Sequence, residues 1–304
     1  MKRFSVVGAG RVGTALGSAL TRKGWELAAI VDRDAAAARE SRKIIGRGRA
    51  TTDLRRAARG AQALFICVPD DAIEAVAGRL ARADSGWRGR LVFHTSGLVS
   101  SAALGALRAR GASVASLHPV QAFPGKRGGA RLFSGIYWGL EGDKAAVSAG
   151  RGIVKALGGR SFILLEKNKP MYHAACSLAS TAFISLEGAA AALLEEAGVR
   201  RNLASAILLP LVQGTLQNVK ELGLKNALTG PLVRGDVRTV RKHLEVLRSR
   251  PLYLEIYKSL GRQALGFVCG GKVPPGKVRA LRRLLEGKRL PLRAGRPTSR
   301  RPVP

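Results

Sequence analysis

The sequence predicts an α/β protein in which a parallel-sheet domain is followed by an all-α domain. Short β-type apolar runs alternate with helical segments in the first half of the chain, and the β signal ends near residue 165. Long helical patterns fill the second half, and 304 residues suffice for two domains of ordinary size. We therefore expect a sheet domain at 1–165, a helical domain at 166–286 and a basic, disordered tail at 287–304.

The predicted strands are short apolar runs, each followed by a turn or an amphipathic segment, as in a parallel sheet covered by helices. They lie in the segments RFSVVGAG, ELAAIVDRD, ALFICVPD, RLVFHTSG, SVASLHPVQ and GIYWGLEG. Helical periodicity predicts helices at about 169–197, 202–222, 236–249, 251–268 and 276–286, with Asn202 and Asp236 as N-caps. The apolar stretch 174–194 is rich in small residues and contains Glu187, so we interpret it as a buried helix and not a membrane span.

The composition favours a soluble cytoplasmic protein without a metal site. Three widely separated cysteines have neither disulfide-type nor zinc-type spacing, and the N-terminus reaches glycines before a signal peptide could form. The formal net charge of +32 alone would suggest nucleic acid or another polyanion. However, about a third of the excess lies in the last tenth of the chain, whose tail lacks aromatic residues, and the remainder is scattered over both halves, so we interpret it as solvated surface charge. Nucleic-acid binding by that tail stays open as an alternative.

The segment GAGRVGTALG follows the first predicted strand and begins a helix. In this position Gly8 permits a tight turn, Gly10 lets a pyrophosphate approach the backbone, and Gly13 lets helix and strand pack closely. The helix N-terminus then faces the phosphates. The pattern predicts a Rossmann-type domain that binds a dinucleotide. The expected cofactor contacts are Gly8, Gly10, Arg11, Val12, Gly13, Arg33, Val68, Pro69, Ser96 and Gly97.

The choice of cofactor depends on the segment VDRD at the end of the second strand. Asp32 could hold the ribose 2′-hydroxyl of NAD(H), whereas Arg33 could hold the 2′-phosphate of NADP(H), and their spacing from the glycines does not separate them. Arg42 and Lys43 add positive charge nearby. We therefore favour NADP(H) and keep NAD(H) as the alternative.

Polar residues that could act on a substrate follow the later strands and begin the first long helix. Ser96 and Gly97 in HTSG, and His118 and Gln121 in LHPVQAF, are expected at the carboxyl edge of the sheet, where such folds bind ligands. Each could equally close a turn. In the helix that begins near residue 169, Lys169 and His173 lie one turn apart, so they share a face. A lysine at a helix N-terminus is unfavourable because its charge opposes the helix dipole, so its presence suggests an anionic ligand nearby. A surface lysine beside a histidine packed in the core would fit the pattern too.

The segment ALTGPLVRGDVRTVRKHL interrupts the helical half with more polar residues than a connection needs. Gly230 and Gly235 permit unusual backbone angles, and Asp236 can cap the next helix while pairing with Arg234. Thr239 and His243 follow at one-turn spacings. Capping alone explains Asp236 but not the whole set, so we predict substrate binding by Arg234, Asp236, Thr239 and His243.

These motifs together resemble a two-domain family in which a Rossmann-like domain precedes a helical domain of unknown function. The resemblance runs from Phe4 to about Gly266 through GAGRVGTAL, HTSG, LHPVQAF, KPMYHAA, EEAGV, LLPLVQGTLQN and ALTGPLVRGDVRTVRKHL. More distantly, the chain is similar to ketopantoate reductase, pyrroline-5-carboxylate reductase and the 3-hydroxyisobutyrate and 6-phosphogluconate dehydrogenases. Thr181 stands where the family pattern has Asn, and the tail after Gly270 is outside the resemblance.

The resemblance implies an NADP-dependent oxidoreductase with a helical dimerising domain and a loop that closes over the nicotinamide pocket. We expect hydride transfer to a small anionic 2-oxo acid, as in ketopantoate reductase, or to a cyclic imine. Lys169 or His173 would give the proton and Arg234 would hold the carboxylate. The alternative is a dinucleotide-binding regulatory or scaffold protein without turnover. We expect a homodimer, because segments such as 203–212 are apolar on more than one face.

Overall fold

The computed structural model describes residues 2–59, 61–84, 86–268 and 273–287. The chain divides into one compact unit that ends at Phe183 and a second that begins at Ile184. The predicted boundary at residue 165 differs from this division, because the helix that follows the sheet stays with the first unit. Apart from Gly287, the predicted tail at 287–304 lies outside the described residues.

The first unit contains one eight-stranded sheet in the order β3-β2-β1-β4-β5-β6-β7-β8. Its strands are β1 (Arg3–Val7), β2 (Glu26–Val31), β3 (Arg49–Thr51), β4 (Ala63–Ile66), β5 (Leu91–His94), β6 (Ser113–Pro119), β7 (Tyr137–Gly142) and β8 (Arg160–Ile163). All pairs are parallel except β6 and β7, which run antiparallel. The predicted Rossmann-type α/β domain is confirmed, while β3, β8 and the antiparallel pair were not predicted.

Helices cover both faces of this sheet. They are α1 (Arg11–Arg22), α2 (Ala35–Ile45), α3 (Leu54–Ala58), α4 (Ile73–Ala83), α5 (Gly105–Arg108), α6 (Lys144–Ala156) and α7 (Lys169–Ser177). Successive residues of a strand point to opposite faces, so Val6 packs in one apolar cluster with Leu16 and Ile153, and Val7 packs in another with Ile73 and Leu80. Because both faces of the central strands are buried, these strands appear in the sequence as nearly continuous apolar runs.

The second unit is helical, as predicted. After a π-helical turn at Leu178–Ala182 come α8 (Phe183–Glu196), α9 (Arg201–Ala227), α10 (Pro231–Arg234), α11 (Val237–Leu247), α12 (Pro251–Val268) and α13 (Pro275–Glu286). Asp236 caps α11 as predicted, since its carboxylate accepts a hydrogen bond from the Thr239 amide at 3.0 Å. The predicted cap at Asn202 is wrong, because α9 already begins at Arg201.

The helical segment Glu166–Glu196 is long and apolar enough, by length and composition alone, to cross a membrane. It spans 31 residues with a mean hydropathy of 1.5 over its most apolar stretch, and none of that stretch is buried within the chain. Leu178 and Ile184 are 69% and 70% exposed. The prediction of a buried helix is therefore wrong for the single chain. Apolar side chains of α9 are exposed as well, among them Ile207, Leu209 and Leu211.

Candidate active site

The loop between β1 and α1 has the geometry of a phosphate cradle. Gly8 has a φ of +102°, and a Cβ atom there would lie 2.3 Å from the Cys67 carbonyl oxygen. A Cβ at Gly13 would lie 2.0 Å from the Gly8 carbonyl oxygen, so both positions require glycine. In contrast, a Cβ at Gly10 would meet nothing within 4 Å. The open space at Gly10 is the feature that lets a pyrophosphate approach the backbone.

Hydroxyl groups hold this loop, and the helix after it has a free N-terminus. The Thr14 hydroxyl lies 2.7 Å from the Gly10 carbonyl oxygen, to which it donates, and 2.6 Å from the Ser41 hydroxyl. Ser41 donates to the Ala9 carbonyl oxygen at 2.9 Å. No side chain caps α1, whose first turn carries Arg11 and Val12. Its amide groups therefore suit an anion, because they carry the positive end of the helix dipole.

Asp32 and Arg33, the two candidate ribose contacts, directly follow β2 and differ in their contacts. One carboxylate oxygen of Asp32 accepts a hydrogen bond from the Ala9 amide at 2.7 Å, and the other accepts one from the Asp34 amide at 3.0 Å. Asp32 thus ties β2 to the glycine loop. Arg33 is exposed.

The loops after β4 and β5 lie at the same edge of the sheet as the glycine loop, because these strands are parallel to β1. After β4, Val68 is half-buried and Pro69 is exposed. Burial raises the pKa of the Cys67 thiol to about 12, so the thiol stays protonated.

The HTSG loop after β5 is held by its own side chains. The Ser96 amide donates to Nδ1 of His94 at 3.2 Å, so His94 carries its proton on Nε2, which lies 3.2 Å from the Ser100 carbonyl oxygen. The Ser96 hydroxyl oxygen accepts from the amides of Leu98 and Val99. These side chains close the turn and direct the buried residue Gly97 toward neighbouring rings.

Two predicted histidines meet at Gly97. A Cβ atom on Gly97 would lie 2.7 Å from Cδ2 of His173 and 2.9 Å from Nε2 of His118. The two imidazole rings are 6.1 Å apart, centre to centre, at an angle of 80°. The absence of a side chain at Gly97 is thus what lets both rings approach the loop.

The predicted catalytic lysine is buried beneath the same loop. Lys169 is 1% exposed, and its Nζ donates to the Ser116 hydroxyl at 2.7 Å and to the Ser96 carbonyl oxygen at 3.2 Å. Burial lowers the pKa of Lys169 to about 8, although the nearby Glu141 carboxylate acts in the opposite direction. The amine therefore links the loop after β5 and the middle of β6 to the first turn of α7.

His94 and His118 are both predominantly neutral at neutral pH. Burial first, and then the electrostatic effect of Lys169 and His173, lowers the pKa of His118 to about 4. The pKa of His94 is also lowered to about 4, by burial first and then by Lys169. An imidazole that stays neutral can donate one hydrogen bond and accept another, which a protonated ring cannot do.

The remaining predicted residues lie farther along the chain. Gln121 is exposed, and its side-chain oxygen accepts from the Ala122 amide. Arg234, Asp236, Thr239 and His243 belong to the second unit. There the Thr239 hydroxyl donates to the Asp236 carboxylate at 2.6 Å, and Nδ1 of His243 lies 2.8 Å from the Tyr257 hydroxyl. Arg234 and His243 are exposed.

Hydrogen bonds and nearby positive charges lower the pKa of the Asp236 carboxyl. The two hydrogen bonds from Thr239 lower the pKa of Asp236 most, and the charges of Arg234 and Lys277 contribute less. The expected direct pairing of Asp236 with Arg234 is thus replaced by capping, with Arg234 acting only through its charge.

Sequence reasoning missed two residues that shape this region. Tyr172 places its hydroxyl 2.6 Å from Nδ1 of His118. Glu141, 6% exposed in β7, accepts hydrogen bonds from the amide and hydroxyl of Ser101. The charged residue inside the apolar run GIYWGLEG was the available signal for Glu141, and Tyr172 stands beside His173 in the quoted motif KPMYHAA.

Two family models match the chain, one in each half. Residues 2–119 match a Rossmann-like domain, and residues 136–264 match a domain of unknown function, DUF2520. The combination that the motifs implied is confirmed. No curated protein sequence matches the chain.

Solved structures share the fold at low sequence identity. A candidate NADP oxidoreductase from Bacteroides fragilis superposes with a TM-score of 0.70 at 23% identity, covering 86% of this chain and 97% of that one. Protein TM1727 from Thermotoga maritima gives 0.69 at 23% identity, with 87% and 98% covered. A pyrroline-5-carboxylate reductase from Coxiella burnetii gives 0.58 at 16% identity, with 89% and 98% covered. At these identities, the similarity establishes the fold.

Proposed function

We propose that this chain, which combines a Rossmann-like domain with a DUF2520 domain, is an NADP-dependent reductase of small anionic carbonyl or imine compounds. The observation that carries the proposal is the joint position of two features at one edge of the sheet. An open glycine loop with an uncapped helix follows β1, and Gly97 follows β5, with the rings of His118 in β6 and His173 in α7 directly against it. Open α/β sheets bind ligands at this edge.

The residues of the first unit fit a dinucleotide. Gly8, Gly10 and Gly13, with the amides of Arg11 and Val12, would hold the pyrophosphate, because the space at Gly10 is open and no side chain competes for the helix N-terminus. Val68, Pro69, Ser96 and Gly97 follow strands at the same edge and would line the nicotinamide side. Bound NADPH would supply the hydride.

Two observations favour NADP(H) over NAD(H). Each carboxylate oxygen of Asp32 already accepts a backbone hydrogen bond, so we propose that this residue chiefly holds the loop. The neighbouring Arg33 is exposed and could hold a 2′-phosphate. The similarity to a candidate NADP oxidoreductase agrees with this preference.

For the proton donor, the geometry favours His173 over Lys169. The Lys169 amine is buried and donates to Ser96 and Ser116, whereas the His173 ring lies directly against Gly97. His173 would thus protonate the oxygen or nitrogen that gains negative charge as the neighbouring carbon receives the hydride. Lys169 would hold the loop and add positive charge that favours an anionic substrate.

For the substrate carboxylate, we propose Arg234, since it is an exposed guanidinium in a polar connection and suits a two-pronged contact. We also propose His118, Gln121, Asp236, Thr239 and His243 as substrate-binding residues. A 2-oxo acid is the preferred class over a cyclic imine, because an ionisable donor and an additional cation suit carbonyl reduction.

We also propose a cytoplasmic homodimer. The exposed apolar side chains of α8 and α9, such as Ile184 and Leu211, form surfaces of the kind that a second copy of the chain would cover.

A screen of NADPH oxidation against 2-oxo acids and cyclic imines tests the function. We expect turnover with one class, a fall of about 100- to 10,000-fold in kcat for His173→Ala, and chiefly a higher KM for Arg234→Ala. Tight NADPH binding with no oxidation of any compound of either class would instead support a non-catalytic dinucleotide-binding protein.

A further inference from the structure

The hydroxyl of Tyr172 and the ring of His118 form a short hydrogen bond beside Gly97. The Tyr172 oxygen lies 2.6 Å from Nδ1 of His118, and the two rings meet edge to face with centres 5.5 Å apart. Hydroxyl donors usually form contacts of 2.5–3.0 Å, whereas N–H donors rarely come below about 2.7 Å. The distance therefore indicates that Tyr172 donates and that Nδ1 of His118 accepts.

The packing around Tyr172 fixes this hydroxyl in place. Gly139 is the cross-strand partner of His118 in the β6–β7 pair, and a Cβ atom on Gly139 would lie 3.1 Å from the Tyr172 hydroxyl. Phe162 of β8 packs edge to face against the tyrosine ring, with centres 5.8 Å apart. The glycine in β7 thus leaves the space through which Tyr172 reaches His118.

The groups around Tyr172 agree with this direction of the hydrogen bond. Burial raises the pKa of Tyr172, and the neighbouring Cys176 raises it further, so the phenol keeps its proton. An imidazole nitrogen is also a stronger acceptor for that proton than the sulfur of Cys176.

From this geometry we infer that Tyr172 is a positioning residue that holds His118 in the tautomer with its proton on Nε2. Among the hydrogen bonds of the described residues, His118 uses only Nδ1, and Nε2 lies beside Gly97. This N–H would donate a hydrogen bond to the carbonyl oxygen or imine nitrogen of the substrate. The inference rests on the proposed function for the identity of that acceptor, but the tautomer itself does not.

The charges that face His118 make it a polarising group and not a proton donor. Lys169 and His173 on α7 and His94 on β5 are the titratable neighbours in addition to Tyr172. Burial first, and then the electrostatic effect of Lys169 and His173, lowers the pKa of His118 to about 4, so its ring is neutral at neutral pH. A neutral imidazole can stabilise a developing negative charge through its N–H while a separate group supplies the proton.

Nitrogen NMR of the histidine-labelled protein tests the inference without substrate. The His118 signals are assigned as those missing from His118→Gln. Between about pH 6 and 8, we expect a protonated Nε2 and an unprotonated Nδ1 in the wild type. We expect exchange between both tautomers in Tyr172→Phe, while Tyr137→Phe, on the exposed side of the neighbouring strand, leaves the His118 signals unchanged. A wild-type His118 with its proton on Nδ1 overturns the inference, even if Tyr172→Phe fails to fold.

Kinetics with a substrate from the screen give a second readout. Tyr172→Phe should lower kcat by about 10- to 100-fold, as removal of the outer partner of a functional histidine does in metal sites, while the Kd for NADPH stays within about twofold. An unchanged kcat with a changed tautomer overturns the assignment of His118 as a polarising donor. If the tautomer is as expected and no compound is reduced, the proposed function fails while the positioning by Tyr172 remains.

Discussion

Replacing the buried Lys169 by Met should change how the stability of the protein depends on pH. The pKa of Lys169 is lowered by burial from 10.5 to about 8 in the folded chain. Each tenfold change in an equilibrium corresponds to about 1.36 kcal/mol, so the folded state bears a penalty of about 3 kcal/mol when Lys169 is charged. Between about pH 8 and 10.5 the unfolded chain binds the proton more strongly than the folded one.

The wild type should therefore gain stability across this window, because proton release from Lys169 then accompanies folding. Below pH 8 the full penalty is present, and above 10.5 it is absent. Lys169→Met keeps a side chain of similar length but cannot titrate. The stability of the wild type relative to this variant should rise by about 3 kcal/mol from about pH 7 to 10.5, on top of a constant offset from the hydrogen bonds lost at Ser96 and Ser116.

Urea unfolding at several pH values, at one fixed protein concentration, measures this difference. Lys167→Met, which replaces an exposed lysine on the turn before α7, is the matched control and should show a difference that does not vary with pH. A difference between wild type and Lys169→Met that is equally flat would show that Lys169 is not buried as a charge, and the account of the loop above it would be wrong.

Three further variants test other parts of the account. Gly97→Ala should fold but lower turnover by about 100-fold in kinetic assays, because the new Cβ displaces the rings of His118 and His173. Gly105→Ala, where a Cβ meets nothing within 4 Å, is the control and should match the wild type. Measured by calorimetry, Arg33→Ala should weaken NADPH binding by at least about tenfold and leave NADH binding unchanged. Equal affinities of the wild type for both cofactors would instead favour Asp32 as the ribose ligand. Leu211→Glu should convert the dimer to a monomer by light scattering, and a monomeric wild type at micromolar concentration would contradict the proposed assembly.

The sequence predicted the fold where burial leaves a periodic signal. Strands with both faces covered, such as β1 and β4, appear as apolar runs, and the helices of the second unit follow the 3.6-residue period. β3 has only three residues at the sheet edge, and β8 is half-exposed, so neither gives such a run. Periodicity also carries no information on strand direction, which is why the antiparallel pairing of β7 was missed.

The candidate site was predictable as a set of positions but not as a set of roles. Residues at the carboxyl ends of parallel strands must gather at one edge, as Gly97 and His118 do, and His173 of α7 lies beside them. Whether such a residue closes a turn or faces a ligand depends on its partners. The Ser96 hydroxyl accepts hydrogen bonds from amides of its own loop, and the Lys169 amine donates to the Ser96 carbonyl oxygen from beneath that loop. The partner of Tyr172 is far away in sequence, so no local pattern identifies it.

The exposure of α8 and α9 was also missed because it depends on a packing partner that the sequence pattern does not specify. Their apolar composition predicted burial, since a helix that is apolar on several faces must be covered. Within one chain these faces stay open. An apolar sequence pattern indicates that a helix face must be covered, but it does not indicate whether the same chain or another copy covers it.

The central claim, that the loop after β1 binds a dinucleotide for reduction, is tested most directly by titrating the protein with NADPH and comparing Gly10→Ala. A Cβ at Gly10 meets nothing within 4 Å and its φ of −73° suits alanine, so the variant should fold like the wild type. The account predicts saturable NADPH binding by the wild type and a loss of at least about tenfold in affinity for the variant, because the new methyl group occupies the space of the pyrophosphate. Equal NADPH affinity of both proteins, or no binding by the wild type, would contradict it.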